Sequence, residues 1–251
     1  MISLHQALSF SSLCAKSKPA KAVFWTGCAP MKLGGGIMEK TYNALKKAVP
    51  DLGFSSWCCA KPTFATGSCR QKAKRQGQLL EHFEKSGIKQ LYTLCPNCKL
   101  TASEHFGIEA LSAWPLLAEY TKKFPAQGRN FVGDYILHDP CSAKNDTSSH
   151  KAVREILDAR GAKFTEFECC KEKPLCCGRK NMLFATNPSA SRELLEKRIG
   201  DAKGLPIISY CESCVEAFRG AGHPAYNLLE ILFDVKVTRS HSNRIKNAKA
   251  L

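Results

Sequence analysis

Long apolar runs are missing from this chain of 251 residues. No stretch approaches the roughly 18 consecutive apolar residues that a membrane-spanning helix needs. The amino terminus, Met1 to Ala15, lacks a basic leading region and a sustained apolar stretch, so it does not read as a secretory signal. Leu13-Cys14 is equally poor as a lipoprotein site. Gly34-Gly35-Gly36 is followed directly by Ile37 and not by Lys-Ser or Lys-Thr, so it does not match a phosphate-binding P-loop; the glycines are expected to let the chain pass close to a bound group. Acidic residues are scarce, 22 against 37 Lys and Arg, for a formal charge of +15. Such an excess can steer a protein toward nucleic acid, an anionic membrane surface or an acidic partner. No recognition helix or set of stacking aromatics accompanies the charge, which argues against nucleic acid. The expectation is a cytoplasmic protein that reaches a membrane only peripherally, through a partner or its basic surface.

Cysteine is what the chain has in excess, 14 residues. A chain of this length can bury a core without covalent staples, and cysteines grouped as C-x-x-C motifs and adjacent pairs point to metal. Adjacent cysteines do not readily bond to each other, because a disulfide wants its Cα atoms more than about 4 Å apart with suitably directed Cβ vectors. The stretch Pro174-Leu175-Cys176-Cys177-Gly178-Arg179-Lys180 holds such a pair. It lies between Cys141, in His138-Asp139-Pro140-Cys141, and the motif Cys211-Glu212-Ser213-Cys214. The same order stands upstream: Cys28, then Cys58-Cys59, then Cys95-Pro96-Asn97-Cys98. All three landmarks repeat at an offset of about 115 residues, which indicates a duplicated unit of domain size.

Apolar runs at Ala22-Val23-Phe24-Trp25, Ile88 to Leu94, Tyr135-Ile136-Leu137 and Pro206 to Tyr210 read as strands, each running into a cysteine motif. Helical spacing follows them, as over Gly35 to Val49, Gln71 to Ser86, His150 to Arg160 and Ser189 to Ala202. The fold class expected is α/β: two tandem, similar parallel-sheet domains with the cysteines at the carboxyl edges of the strands, where ligands collect in such sheets. Residues 1–20 are expected to form a flexible leader, 21–125 the first domain, 131–235 the second, and 236–251 a disordered basic tail. The boundary is placed in Thr121 to Asn130, which has little apolar content.

Each frame offers five sulfurs and one C-x-x-C. Structural zinc is satisfied by four ligands, whereas an iron–sulfur cluster has several irons to ligate. The spacing therefore favours iron over zinc. A C-x-x-C that opens a helix has its thiolates stabilised by unpaired N–H groups, and Gly178 lets backbone approach a bulky inorganic core.

The double pattern resembles the cysteine-rich CCG-domain family, best known from heterodisulfide reductase, over roughly Lys21 to Phe233. The resemblance implies one or two 4Fe–4S clusters of noncubane type. Cys28, Cys58, Cys59, Cys95 and Cys98 would hold the first, and Cys141, Cys176, Cys177, Cys211 and Cys214 the second. It implies disulfide cleavage between the two clusters, or electron transfer in glycolate, lactate, glycerol-3-phosphate or quinone-linked dehydrogenases. The sequence shows no C-x-x-C-x-x-C run, so electrons would come from a separate ferredoxin-type or flavoprotein subunit. One departure stands out: Ala60 follows the first pair where the motif has glycine, which makes zinc the alternative occupant of the first half. Of the remaining cysteines, Cys14 and Cys69 read as plain residues and Cys169-Cys170 as a packing pair or an auxiliary redox thiol. His138 and His223 read as packing or supporting groups, and Arg179 and Lys180 as solvated charge beside the second pair. The rival of another class is a metal-binding regulator or scaffold.

Overall fold

The computed structural model describes residues 2–125 and 130–251. Helix α1 (Ile2–Ser9) opens the chain and is followed by the short strand β1 (Ser17–Lys18). Strand β2 (Ala22–Trp25) is fully buried from Val23 onward and stops at Gly27, whose φ of 68° lies in the left-handed region that glycine enters freely. Helix α2 (Ile37–Lys46) leads to β3 (Gly53–Ser55), α3 (Lys61–Thr66) and α4 (Cys69–Lys85). Ser68 and Gln71 close α4 with a reciprocal capping box. Strand β4 (Gln90–Thr93) runs into α5 (Pro96–His105), and β5 (Glu109–Ser112) completes the first sheet.

After α6 (Trp114–Lys123) the pattern recurs: β6 (Asp134–His138), α7 (Thr147–Ala159), β7 (Lys163–Glu166), α8 (Leu183–Thr186) and α9 (Pro188–Asp201). Then come β8 (Ile207–Ser209), α10 (Glu212–Gly220), β9 (Ala225–Asn227), α11 (Leu228–Phe233) and a last helix α12 (His241–Ala250).

The sheet orders are β1-β3-β2-β4-β5 and β7-β6-β8-β9. Every pair among these strands is parallel except β1 with β3. With the antiparallel edge strand β1 set aside, both sheets arrange their strands in the order second, first, third, fourth. The α/β duplication expected from the cysteine spacing is therefore a duplication of topology. Parallel strands need covering on both faces, which is why β2, β6 and β8 are almost continuously apolar.

The cores include the sulfurs. In one, Trp25 meets Phe83 (centroids 5.7 Å, 88°) and Phe106 (6.4 Å, 69°), and Cys59, Cys95 and Cys98 belong to the same buried cluster. In the other, Val215, Phe218 and Ile207 pack with Cys177, Cys211 and Cys214.

The chain divides into two compact units, one comprising the segment up to Ala113 with Val237–Leu251, the other Trp114–Lys236. The sequence places the division at Thr121 to Asn130, of which 126–129 lie outside the described residues. The turn of the chain comes earlier because α6 is amphipathic: Trp114, Leu117, Ala118 and Thr121 are buried, and the helix packs on α7. Trp114 stands edge-on to Tyr210, centroids 6.1 Å apart.

The tail also departs from expectation. Residues 241–250 are a capped helix, with Ser240 Oγ accepting from Asn243 N at 3.2 Å. Asn247 Nδ2 donates to the carbonyls of Met31 (2.9 Å) and Leu33 (2.8 Å), and Arg244 Nη2 to Ser9 Oγ (2.8 Å). Its anchors are polar, so no apolar periodicity announces them. Gly34 serves this docking: a Cβ there would stand 2.6 Å from Thr238 Oγ1. Gly36, at φ 66°, starts α2.

Candidate metal centres

Three adjacent parallel strands of the first sheet carry the first frame. Cys28 follows β2, Cys58-Cys59 follows β3, and Cys95 follows β4 as the residue capping α5, whose first turn carries Cys98. Side-chain hydrogen bonds link the five sulfurs in the order Cys28, Cys58, Cys59, Cys98, Cys95. Gly27 permits the closest approach, since a Cβ on it would lie 2.8 Å from Cys98 Sγ.

The second frame repeats this order at β6 and β8: Cys141, Cys176, Cys177, Cys214, Cys211. Cys177 and Cys214 sulfurs stand 3.1 Å apart. Even a small supporting bond recurs, with Cys95 N donating to Thr93 Oγ1 (3.2 Å) and Cys211 N to Ser209 Oγ (3.3 Å). All 14 cysteines are free thiols. The structure thus brings together each of the two predicted sets of five.

In each centre one member of the adjacent pair is held as the thiolate. Hydrogen bonds from Cys58 and Cys98 bring Cys59 down to about 5, against burial that opposes the charge. Cys176 is pushed far below the ordinary thiol range by hydrogen bonds from Cys141 and Cys177, with the backbone N–H groups of Lys180 and Gly178 adding to them. The thiolate is the metal-binding form. Ten sulfurs in two compact, mostly buried groups form a soft donor set, and five per group is one more than tetrahedral zinc uses. The cysteine clusters are consistent with iron–sulfur binding.

The glycine of the second pair is required twice over. Gly178 has φ 84°, and a Cβ on it would come within 2.3 Å of the Ser191 carbonyl oxygen at the start of α9. Ala60 takes the equivalent place with φ 58°, also left-handed, so the first loop keeps the conformation with one methyl group added.

Other predicted residues fall outside the five-sulfur groups. Cys169 and Cys170 come right after β7, the place that Cys58-Cys59 takes after β3, yet the structure recruits Cys176-Cys177 instead. Cys170 lies with Asp139 and Glu166. Arg154 already occupies both carboxylates, Nη2 reaching Asp139 Oδ2 at 2.8 Å and Glu166 Oε2 at 2.6 Å. His223 pairs through Nε2 with the Leu205 carbonyl at 2.9 Å. Arg179 is paired to Glu216 at 3.6 Å and lies over the Phe184 ring. Cys14 is buried and Cys69 exposed.

Three contributors are unannounced by the sequence. Helix α1 sets His5 within 4.8 Å of Cys28 and Cys58, and its Gln6 Nε2 reaches Cys58 Sγ at 3.6 Å while Thr63 Oγ1 donates to Gln6 Oε1 at 2.8 Å. An eight-residue helix carries too little periodicity to stand out from a leader. The third is Arg198, 1 % exposed, which donates through Nε to His138 Nδ1 at 3.1 Å.

Fold and site together define a duplicated α/β protein with a five-cysteine centre at the carboxyl edge of each sheet. The chain belongs to the CCG cysteine-rich domain family, which it matches over residues 22–102 and 135–219. Among curated proteins it is 25 % identical over 213 residues to a component of the dihydromethanophenazine:CoB–CoM heterodisulfide reductase of Methanosarcina mazei, covering 76 % of this chain and 51 % of that one. An iron–sulfur protein of Methanocaldococcus jannaschii is 23 % identical over 208 residues, 80 % of this chain and 41 % of its own length. EtfAB:quinone oxidoreductase of Syntrophomonas wolfei is 22 % identical over 172 residues, 64 % of this chain and 24 % of its own. The chain spans about half the length, or less, of these relatives. It is a CCG iron–sulfur protein distantly related to oxidoreductase subunits. Among the described residues no helix is long and apolar enough to cross a membrane.

Proposed function

We propose that this chain is an iron–sulfur electron-transfer subunit of a multi-subunit oxidoreductase, with thiol/disulfide chemistry of the heterodisulfide reductase kind. The observation that carries the reading is the recurrence of five sulfurs in one connected order at the same edge of two sheets of one topology. Cys28, Cys58, Cys59, Cys95 and Cys98 hold the first cluster, and Cys141, Cys176, Cys177, Cys211 and Cys214 the second, each of noncubane 4Fe–4S type. When bound, the clusters supply one-electron carriers. Backbone N–H groups at Gly178, Arg179 and Lys180 donate to the sulfurs of the second pair, which favours the more negative, reduced form. The apolar cores around Cys59, Cys98, Cys177 and Cys214 exclude water from one side of each centre. Disulfide reduction breaks one S–S bond, forms two S–H bonds and consumes two electrons and two protons. A ferredoxin-type or flavoprotein subunit supplies the electrons, so the isolated chain turns over poorly without it.

A second reading applies to the first centre alone. His5 adds a nitrogen donor beside Cys28 and Cys58, and Ala60 replaces the loop glycine, which together suit zinc. Iron, zinc and acid-labile sulfide in anaerobically purified protein, with EPR before and after mild oxidation, separate the readings. On the order of eight irons with matching sulfide supports two four-iron clusters. About half that iron with one zinc assigns zinc to the first centre. Zinc alone after anaerobic reconstitution would overturn the redox reading.

A further inference from the structure

His138 is the last residue of β6 and is wholly buried, 0 % exposed. Its ring stands edge-on to Phe218 (centroids 5.1 Å, 88°) and to Phe167 (6.2 Å, 87°), so two aromatic rings hold its plane. Nδ1 accepts from Arg198 Nε at 3.1 Å. A guanidinium carries only donors, so the imidazole lone pair must sit on Nδ1 and its proton on Nε2. Arg198 is itself fixed, lying 3.5 Å from the Phe167 ring centroid and donating Nη2 to the Cys169 carbonyl at 2.9 Å.

Nε2 is buried and has no hydrogen-bond partner among the described residues. A buried N–H without an acceptor is costly and calls for one. A ring nitrogen of His138 lies within 4.8 Å of Cys177 Sγ and Cys214 Sγ. With Nδ1 committed to Arg198, the nitrogen left for that group is Nε2.

The geometry points to His138 as a permanent N–H donor to the second sulfur centre, locked in that tautomer by Arg198 and raising the reduction potential of the cluster held there. The inference rests on the reading of that centre as an iron–sulfur site. A hydrogen bond to a cluster or thiolate sulfur stabilises the reduced, more negative form. Outer groups of this kind tune a metal site without ligating it, which makes His138 a positioning and tuning residue. Arg198 also blocks the other role open to a histidine. To bind iron through Nε2 the ring would carry its proton on Nδ1, facing an N–H of Arg198. The first centre has no donor at the matching place: Trp25, three residues before Cys28 as His138 is before Cys141, spends its Nε1–H on the Trp57 carbonyl at 2.7 Å.

The test uses full-length protein with isotopically labelled histidine, examined by pulsed EPR in the paramagnetic state of the clusters. A weakly coupled histidine nitrogen with an exchangeable proton is expected, absent in His138→Phe. Potentiometric titration provides the second readout. His138→Phe lowers one of the two cluster potentials and leaves the other in place, and His138→Gln, which retains an N–H donor, recovers part of the shift. A strongly coupled, directly ligated nitrogen that disappears in His138→Phe would overturn the proposal. So would unchanged potentials in a His138→Phe protein with its full iron. The wild-type EPR measurement decides the matter even if the phenylalanine variant does not fold. Lack of iron at the second centre of wild-type protein is a separate result, seen in the metal count, and removes the cluster reading together with this proposal.

Discussion

Replacing Gly178 by alanine puts the geometry of the second centre under direct strain. At φ 84° an L-residue pays roughly 1–2 kcal/mol for the left-handed conformation. The new Cβ would also stand 2.3 Å from the Ser191 carbonyl oxygen and 3.0 Å from its Oγ, closer than carbon approaches oxygen. Either the cysteine loop or the first turn of α9 must give way, an overpacking that typically costs about 1–3 kcal/mol. The displacement also threatens the 2.8 Å hydrogen bond from Ser191 Oγ to the Gly178 carbonyl, worth about 1 kcal/mol. Together these come to about 3–6 kcal/mol, a large part of the roughly 5–15 kcal/mol that holds a typical protein folded. At about 2–4 °C per kcal/mol for a chain of this size, the melting midpoint should fall by about 6–24 °C. The assay is anaerobic thermal unfolding followed by circular dichroism, with iron counted in the same samples. Ala60→Gly is the matched control. It relieves left-handed strain at φ 58° but removes a buried methyl group and loosens the unfolded chain, so its net change should stay within about 1 kcal/mol. A Gly178→Ala protein that melts with wild type and keeps its iron would refute this account of the loop.

Asn247→Ala removes two hydrogen bonds, to the Met31 and Leu33 carbonyls, from a side chain on a residue only 7 % exposed; a loss of about 1–3 kcal/mol is expected in urea unfolding, and an unchanged midpoint would mean that α12 is not anchored there. His82 is held down to about 4 by burial, between Ser55 Oγ at 3.0 Å and the stacked Trp57 ring. Because the unfolded side chain titrates near 6.5, the unfolded state binds more protons in between, so stability is lost as pH falls from about 6.5 through 4. His82→Gln should flatten that part of the melting-temperature profile, and identical slopes would count against it. Cys69→Ser, at the exposed start of α4, should change neither iron content nor stability, and a loss of iron would bring that thiol into a centre.

Much of the site was legible in the chain because it is written locally. A buried apolar run followed by Gly or Pro and cysteine marks where a parallel strand meets its loop, and two copies in one order imply one topology twice. Cys176-Cys177 could be preferred to Cys169-Cys170 because only the former leads into Gly178. The structure supplies the steric reason at the Ser191 carbonyl. Spacing places helices over Gln71 to Ser86, His150 to Arg160 and Ser189 to Ala202; the caps at Ser68, Asp146 and Asn187 start α4, α7 and α9 one to three residues earlier.

The rest depended on polar contacts between distant residues, which leave no periodic trace. Asn247 and Arg244 bury a basic segment that composition alone presents as solvated. Trp114 and Leu117 send α6 to the unit that follows it in the chain. His5 arrives at Cys28 from a segment too short to show amphipathicity, and Arg198 meets His138 across 60 residues of sequence. The sequence by itself determined the fold class, the duplication and the ten clustered thiols, because strand, turn and cysteine spacing are local properties. Only the tertiary structure decided which unit each terminal helix joins and which way the His138 proton faces, because both depend on partners that folding alone brings together.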